Sequence, residues 1–351
     1  MQLRIFVPLL FFLAALSFLL SWFERQNRFN KSDAFVTEAE QQAVILLYEQ
    51  QDLTELTESL RLAGVRFDEN ELSWVADRRR YRTFRPGRYV LDGASGYDAL
   101  LGRINRGEED PVRVVIHAGQ TYEMFYRRVS NQLRFDADAL RSVMQDTLFI
   151  QEELQLQPHQ LFGRMLPNTY EIFWTTGPEA FVRRMISEFD RATAPLADLI
   201  EAHRLDLEQI LTLASIVELE AMHAVEKPTI AGLYTNRLNR RMRLQADPTV
   251  NYALGRRGRL RVADYRFQHP YNTYVINGLP PGPITNPAMS AIRAALQPED
   301  HAYLFMVATP EGFHRFTRTY AEHQRAVAEW RRWLREQDRQ ARERERQQTA
   351  Q

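Results

Sequence analysis

A carboxylate inside an apolar run is the first candidate for chemistry in this chain. Glu218 lies in Leu211-Thr-Leu-Ala-Ser-Ile-Val-Glu-Leu-Glu220, a stretch with helical character. Each helical residue advances by about 100°. With Ala214 as origin, Leu207, Ile210, Leu211, Val217 and Ala221 fall within about 60°, and Glu218 falls near 40°, inside that stripe. A carboxyl so placed loses solvent. Desolvation favours the protonated form, which is the form a general acid needs. The competing reading is that Glu218 reaches water at the edge of the stripe or pairs with an arginine. Glu220 is a weaker candidate, because it lies about 160° around the helix and cannot face the same site.

Three polar loops follow that could line a cleft: Arg243-Leu-Gln-Ala-Asp-Pro-Thr-Val250, Pro270-Tyr-Asn-Thr-Tyr274 and Gly278-Leu-Pro-Pro-Gly-Pro-Ile-Thr-Asn-Pro287. Prolines stiffen the backbone and lack donors, so the third loop cannot join a central strand. Amides and tyrosines on stiff loops suit a polyhydroxylated polymer. They would serve equally as rigid surface connections. Asp247 is the best-placed second carboxylate, and its plain role is to make the turn before Pro248.

Other chemistries find little support. The chain has no cysteine, which removes disulfides, thiolate metal sites and cysteine nucleophiles. His223, His269, His301, His314 and His323 lack metal-ligand spacing, so no metal or cofactor is expected. No phosphate-cradling glycine loop appears, and Ser215 has no nucleophile-elbow surround. Lys plus Arg equals Asp plus Glu at 45 each, which argues against a general nucleic-acid surface.

These residues need elements to hold them. Asp206 and Gln209 form a capping-box pattern at the start of the Glu218 helix. A further helix is expected over about Pro228 to Leu238, and an amphipathic one over Pro178 to Ala192. Before them, short strands at Ala43–Tyr48, Arg85–Leu91 and Val112–Ile116 alternate with short helices at Leu53–Ala63, Tyr97–Ile104 and Thr121–Leu133. Ala302–Ala308 and Phe313–Arg318 read as a hairpin, and Tyr320 to Leu334 as a helix. From Arg335 the Arg/Glu/Gln-rich chain has no apolar stripe and reads as solvated extension or disorder. At the other end, Ile5 to Trp22 is uncharged, long enough to span a hydrocarbon core and without a cleavage pattern, so an uncleaved membrane anchor is expected. Flanking charges leave its orientation open, with Arg4 before it and Arg25, Arg28 and Lys31 after.

Five co-ordered motifs now point one way. Ala214-Ser-Ile-Val-Glu218, Asn236-Arg-Leu238, Leu244-Gln-Ala-Asp-Pro-Thr-Val250, Tyr271-Asn-Thr-Tyr274 and Gly278-Leu-Pro-Pro-Gly-Pro-Ile284 closely resemble the YceG-like endolytic murein transglycosylases, the MltG family. The resemblance implies an α+β protein of four parts. A membrane anchor and linker occupy residues 1–33, a small LysM-like, peptidoglycan-binding α/β module residues 34–150, a mixed α+β catalytic domain residues 151–334, and a charged extension residues 335–351. It implies a bacterial enzyme of the cytoplasmic membrane, with its body facing the periplasm or cell exterior. Such an enzyme is a lyase that cuts glycan strands between N-acetylmuramic acid and N-acetylglucosamine, leaves 1,6-anhydro ends, and so trims or terminates nascent strands. Peptidoglycan strands and, through wall assembly, peptidoglycan synthases are the partners implied. Glu218 matches the catalytic position. Asn236, Gln245, Asp247, Tyr271, Asn272, Thr273 and Tyr274 are the expected sugar-binding or supporting residues. One departure is Asn168 in Leu166-Pro-Asn-Thr-Tyr170, where the family commonly has Asp; a turn-shaping role suits either residue. The alternatives from the residues alone are a membrane-anchored, non-catalytic peptidoglycan-binding scaffold and a hydrolytic muramidase.

Overall fold

The computed structural model describes residues 3–31, 34–37, 42–91 and 95–349. They fall into two compact units. One comprises Met1–Val114, Ser130–Asp136 and Tyr170–Gly177, and the other Val115–Val129, Ala137–Thr169 and Pro178–Gln351. The division therefore differs from a single boundary near residue 150. Phe125 gives the physical reason, since its ring packs against Phe162 and Phe181 of the second unit.

The first unit is mixed α+β. After α1 (Leu3–Phe29) come β1 (Phe35–Thr37), β2 (Ala43–Leu47), α2 (Leu53–Leu62), β3 (Val65–Phe67), α3 (Glu69–Arg79), β4 (Gly87–Leu91) and α4 (Tyr97–Arg106). β1 pairs antiparallel with β3, and β2 with β4 from Ala43↔Leu91 to Leu47↔Gly87. Alternation along β2 and β4 sends Ile45, Leu47, Tyr89 and Leu91 into the core, where they meet Leu56 and Leu60 of α2 and Leu100, Leu101 and Ile104 of α4. Asp52 and Glu55 close a capping box at the start of α2. β5 (Pro111–Ile116) pairs with β6 (Asn168–Phe173).

The expected membrane span, Ile5 to Trp22, falls within α1. Side chains through residue 11 lie outside the described residues, and among the described residues no helix is long and apolar enough to cross a membrane.

The second unit is helical, with one hairpin. Its helices are α5 (Tyr122–Ser130), α6 (Ala137–Gln145), α7 (Pro178–Thr193), α8 (Ala197–Ala202), α9 (Leu207–Glu220), α10 (Lys227–Asn239), α11 (Asp247–Ala253) and α12 (Met289–Leu296). The expected hairpin is present as β7 (Phe305–Ala308) against β8 (His314–Thr317), with Phe305↔Thr317 and Ala308↔His314 at its ends. α13 (Tyr320–Thr349) then runs on through the segment expected to be extension or disorder. Its charges sit at helical spacing, as in Arg339 with Glu336 at 2.7 Å, and support a solvated helix without an apolar stripe.

α9 organises this unit. Asp206 caps it as expected, with the Gln209 amide donating to Asp206 at 2.8 Å and the reciprocal bond also present. Every residue from Ile210 to Val217 is buried, so the helix is enclosed on all sides and is not apolar along one stripe only. It packs against α10 and α12 in a core that includes Ile230, Leu233, Ile292 and Ala295. The Pro-rich loop is fixed to its flank, because the Ser215 hydroxyl accepts the Ile284 amide at 3.0 Å. Asn286 fixes the end of that loop. It donates to the carbonyls of His117 and Met165 at 2.8 and 3.0 Å and accepts the Gln120 amide at 3.1 Å. With α9 and this loop held, the last turn of α9 occupies a defined place.

Candidate active site

Two carboxylates end α9, and the structure gives them opposite surroundings. Glu218 is paired. Its Oε2 accepts from Lys227 Nζ at 2.8 Å and from the Ala288 backbone amide at 3.0 Å. Lys227 also donates to Ser290 Oγ at 3.0 Å. The side chains of Lys227 and Glu218 are only 7% and 11% exposed. Lys227 begins α10 and Ala288 precedes α12, so one carboxylate joins the end of α9 to the starts of two neighbours. The amide it accepts is one of those that a helix start leaves without an intrahelical partner. Of the two readings open for Glu218, pairing with a cation is the one present, and the partner is a lysine where the sequence reading named an arginine. The signal was present: Lys31 and Lys227 are the chain's two lysines, and its other cations are arginines.

Glu220 has no such cation. Tyr234 on α10 donates its hydroxyl to Glu220 Oε1 at 2.9 Å. Burial lifts the Glu220 carboxyl to about 7; the charge of Asp247 adds to this, and the Tyr234 bond and Arg237 oppose it. The C-terminal end of a helix also carries negative partial charge, which disfavours carboxylates there. Of the two glutamates, Glu220 is therefore the one whose carboxyl is raised.

Asp247 begins α11 and is exposed. Tyr274 donates to its Oδ1 at 2.7 Å and Tyr265 to its Oδ2 at 3.4 Å. The two phenol rings lie 4.6 Å apart. Burial, then the Asp247 contact, hold the Tyr274 hydroxyl far above its ordinary range. Glu220, Asp247, Tyr234 and Tyr274 thus form one electrostatic group. A cavity of about 480 Å³ has a lining that includes Leu219, Pro248, Tyr252 and Tyr122, so sequence neighbours of Glu220 and Asp247 reach it. The Tyr271 ring packs tilted, with centroids 4.7 Å apart, against Tyr252, one of those walls.

The remaining candidates do structural work. Asn236 donates to the carbonyls of His301 and Tyr303 at 2.7 and 3.2 Å. Arg237, beside it, donates to those of Leu304 and Leu244 at 2.7 and 2.5 Å. The Asn-Arg-Leu motif therefore fastens α10 to the chain around it. Asn272 and Thr273 are fully buried. Asn272 donates to the Phe267 carbonyl at 2.8 Å, and Thr273 accepts the Ala246 amide at 2.9 Å. Gln245 is exposed and holds a left-handed backbone with φ of 51°. Asn168 opens β6 and its Oδ1 accepts the amide of Thr169 at 2.8 Å. Among the described residues no group of three or more His, Asp or Glu could hold a metal ion.

Comparison with known proteins decides the family. The model of the YceG-like family matches residues 45–329. The chain belongs to this family. A Bacillus subtilis relative named endolytic murein transglycosylase is 29% identical over 259 residues, 69% of this chain and 72% of the relative. A Streptococcus pneumoniae relative of the same name is 28% identical over 309 residues, and the match spans 79% of this chain but 56% of the pneumococcal protein. In the solved structures, a yceG-like protein from Listeria monocytogenes superposes with a TM-score of 0.57 at 27% identity, over 82% of this chain and 99% of that one.

The two glutamates predict different stability behaviour. Lys227→Met leaves Glu218 buried without its cation and should cost about 3–5 kcal/mol, read as a lowered denaturant midpoint. Glu220 shows the reverse. Its folded value lies above the ordinary 4.5, at about 7. Its contribution is fully present below the unfolded value and is lost as pH rises through the folded one. Glu220→Gln should therefore leave stability unchanged near pH 4 and raise it near pH 8 by about 2–3 kcal/mol. Equal midpoints for the two proteins at pH 8 would contradict the raised value.

Proposed function

We propose that the chain is a membrane-anchored endolytic lytic transglycosylase that cuts peptidoglycan glycan strands without water, with Glu220 as its acid-base group. The names of the relatives and the five motifs support the substrate class. The observation that supports the residue assignment is the setting of Glu220, whose Oε1 accepts the Tyr234 hydroxyl at 2.9 Å and whose carboxyl burial lifts to about 7. Glu218, held by Lys227 and the Ala288 amide, is read as the structural carboxylate.

The chemistry follows from one acid. Protonated Glu220 donates to the glycosidic oxygen as the bond from C1 of N-acetylmuramic acid breaks. The resulting carboxylate takes the proton of the C6 hydroxyl on the same sugar. O6 attacks C1 and closes the 1,6-anhydro ring, and Glu220 is again protonated. The nucleophile belongs to the substrate, so proximity replaces a bound water. A muramidase would need a second carboxylate free to attack C1 or activate water. Asp247 already accepts from two phenols, which disfavours that reading.

Glu220→Gln should abolish cleavage of purified glycan strands, since Gln is near-isosteric but cannot cycle a proton. Glu218→Gln, if it stays folded, should retain cleavage. The wild type should release 1,6-anhydromuramic ends with no heavy oxygen from labelled water. The opposite ranking of the two variants would move the acid to Glu218. Labelled reducing ends would make the protein a hydrolytic muramidase.

The anchor rests on α1. At 27 residues it is about 40 Å long. Phe12, Leu13, Leu16, Phe18, Leu19 and Leu20 are exposed on it, a surface that water does not favour but a bilayer does. The body then faces the cell exterior, where the wall is. Membrane fractions should contain the protein with its N-terminus unprocessed. A mature start beyond Trp22 on N-terminal sequencing would mean a cleaved leader instead.

A further inference from the structure

We propose that Asp247 is the second group the reaction needs, a negative charge fixed by two phenols that acts on Glu220 and offsets positive charge at C1 as the glycosidic bond breaks. This rests on the reading of Glu220 as the acid. It assigns Asp247 no proton transfer and no bond to the sugar.

The first support is the way the carboxylate is held. Tyr274 donates to one oxygen at 2.7 Å and Tyr265 to the other at 3.4 Å. A carboxylate serving two phenols is a poor base for water but a well-oriented charge. The phenols are themselves hard to ionise. Burial, first of all, and then Asp247 itself raise both. They therefore stay donors through the working pH range and do not compete for the negative charge.

The second support is the buried network behind it. Gln245 is not glycine, yet it takes a left-handed backbone with φ of 51° two residues before Asp247. Such a conformation persists where its surroundings enforce it. The Gln245 amide donates to the Thr273 carbonyl at 3.2 Å, and the Ala246 amide to Thr273 Oγ1 at 2.9 Å. Thr273 and Thr249 hydroxyls meet at 2.8 Å, and Asn272 accepts the Tyr274 amide at 3.0 Å. Thr249, Asn272 and Thr273 are all fully buried. None of these groups is placed to touch substrate. What they fix is the position of Asp247 relative to Tyr274.

The third support is electrostatic. The charged and titratable groups facing Glu220 are Tyr234 and Arg237 from α10 and Asp247 from α11, with the Tyr274 phenol beyond it. Arg237 favours ionised Glu220, and so does the Tyr234 bond. Asp247 is the acidic group in the set that acts against them. Pro248, the next residue, lines the cavity of about 480 Å³.

The test is the pH profile of glycan cleavage by the full-length protein and its variants. Cleavage requires protonated Glu220, so wild-type kcat/KM should fall as pH rises through about 7. Asp247→Asn removes the negative neighbour. Its alkaline limb should move to lower pH, and kcat near pH 7.5 should fall roughly tenfold or more. Tyr274→Phe keeps the charge but loosens it, so kcat should drop while the limb stays in place. A limb in Asp247→Asn that coincides with wild type would overturn the proposal, even with a lower rate, because a merely structural loss changes amplitude and not the titration. If Asp247→Asn does not fold, Asp247→Glu decides. It keeps the charge but moves it by one methylene, so a displaced limb and a reduced kcat are expected, and wild-type values for both would overturn the proposal. Glu220→Gln is run alongside. Cleavage by that variant would remove the reading of Glu220 itself, whatever Asp247 does.

Discussion

The pair between Glu218 and Lys227 is the contact on which the rest of the second unit depends. It lies where α9 ends, α10 begins and the first amide of α12 needs an acceptor. Removing two charges from water is costly, and their attraction alone seldom recovers the cost. Here the extra hydrogen bonds help to close the balance, since Lys227 finds Ser290 and Glu218 finds Ala288. The result is specificity of placement. Three helices share one polar point in an otherwise apolar core, so α9 cannot turn or slide without breaking it. That constraint fixes the direction in which Glu220, two residues on, must point.

Two identical side chains in one helical turn then acquire different chemistry from their surroundings. Glu218 has an ammonium and an amide. Glu220 has burial, a phenol and a nearby carboxylate, and its carboxyl rises to about 7. The helix end contributes too, because its carbonyls repel both carboxylates. At Glu218 the lysine answers that repulsion. At Glu220 a retained proton does.

The sequence made the local features legible and left the long-range ones hidden. The Asp206 capping box depends on residues three apart and is present as read. The hairpin from Phe305 to Thr317 and the helix from Lys227 follow equally from nearby residues. Helical angles correctly separated Glu218 from Glu220. They could not say which of the two would find a cation, because Ala288 is 70 residues away and Lys227 sits on another helix. A stripe drawn from one side of α9 likewise missed that Ile210 to Val217 are buried all round. The loops were recognised as polar and stiff, but residue type alone did not distinguish Asn236, Asn272 and Thr273, which brace the fold, from Asp247 and Tyr274, which face the site.

That distinction explains how a candidate site can be built largely from loops. Loops are normally mobile, and a proton donor misplaced by an ångström loses much of its value. This unit avoids the problem by burying the loops' polar groups and satisfying them internally. Asn286 ties down the Pro-rich loop. Thr249, Asn272 and Thr273 tie down the other two. Each is a buried polar side chain whose partners are backbone groups or one another, so its removal would leave unpaired donors and acceptors in the core. What remains at the surface of this frame is a small set of phenols and carboxylates with little freedom to rearrange. A preorganised group of that kind spends its conformational cost in folding and not in the reaction. The raised Glu220 is the matching expense in stability, incurred above acidic pH.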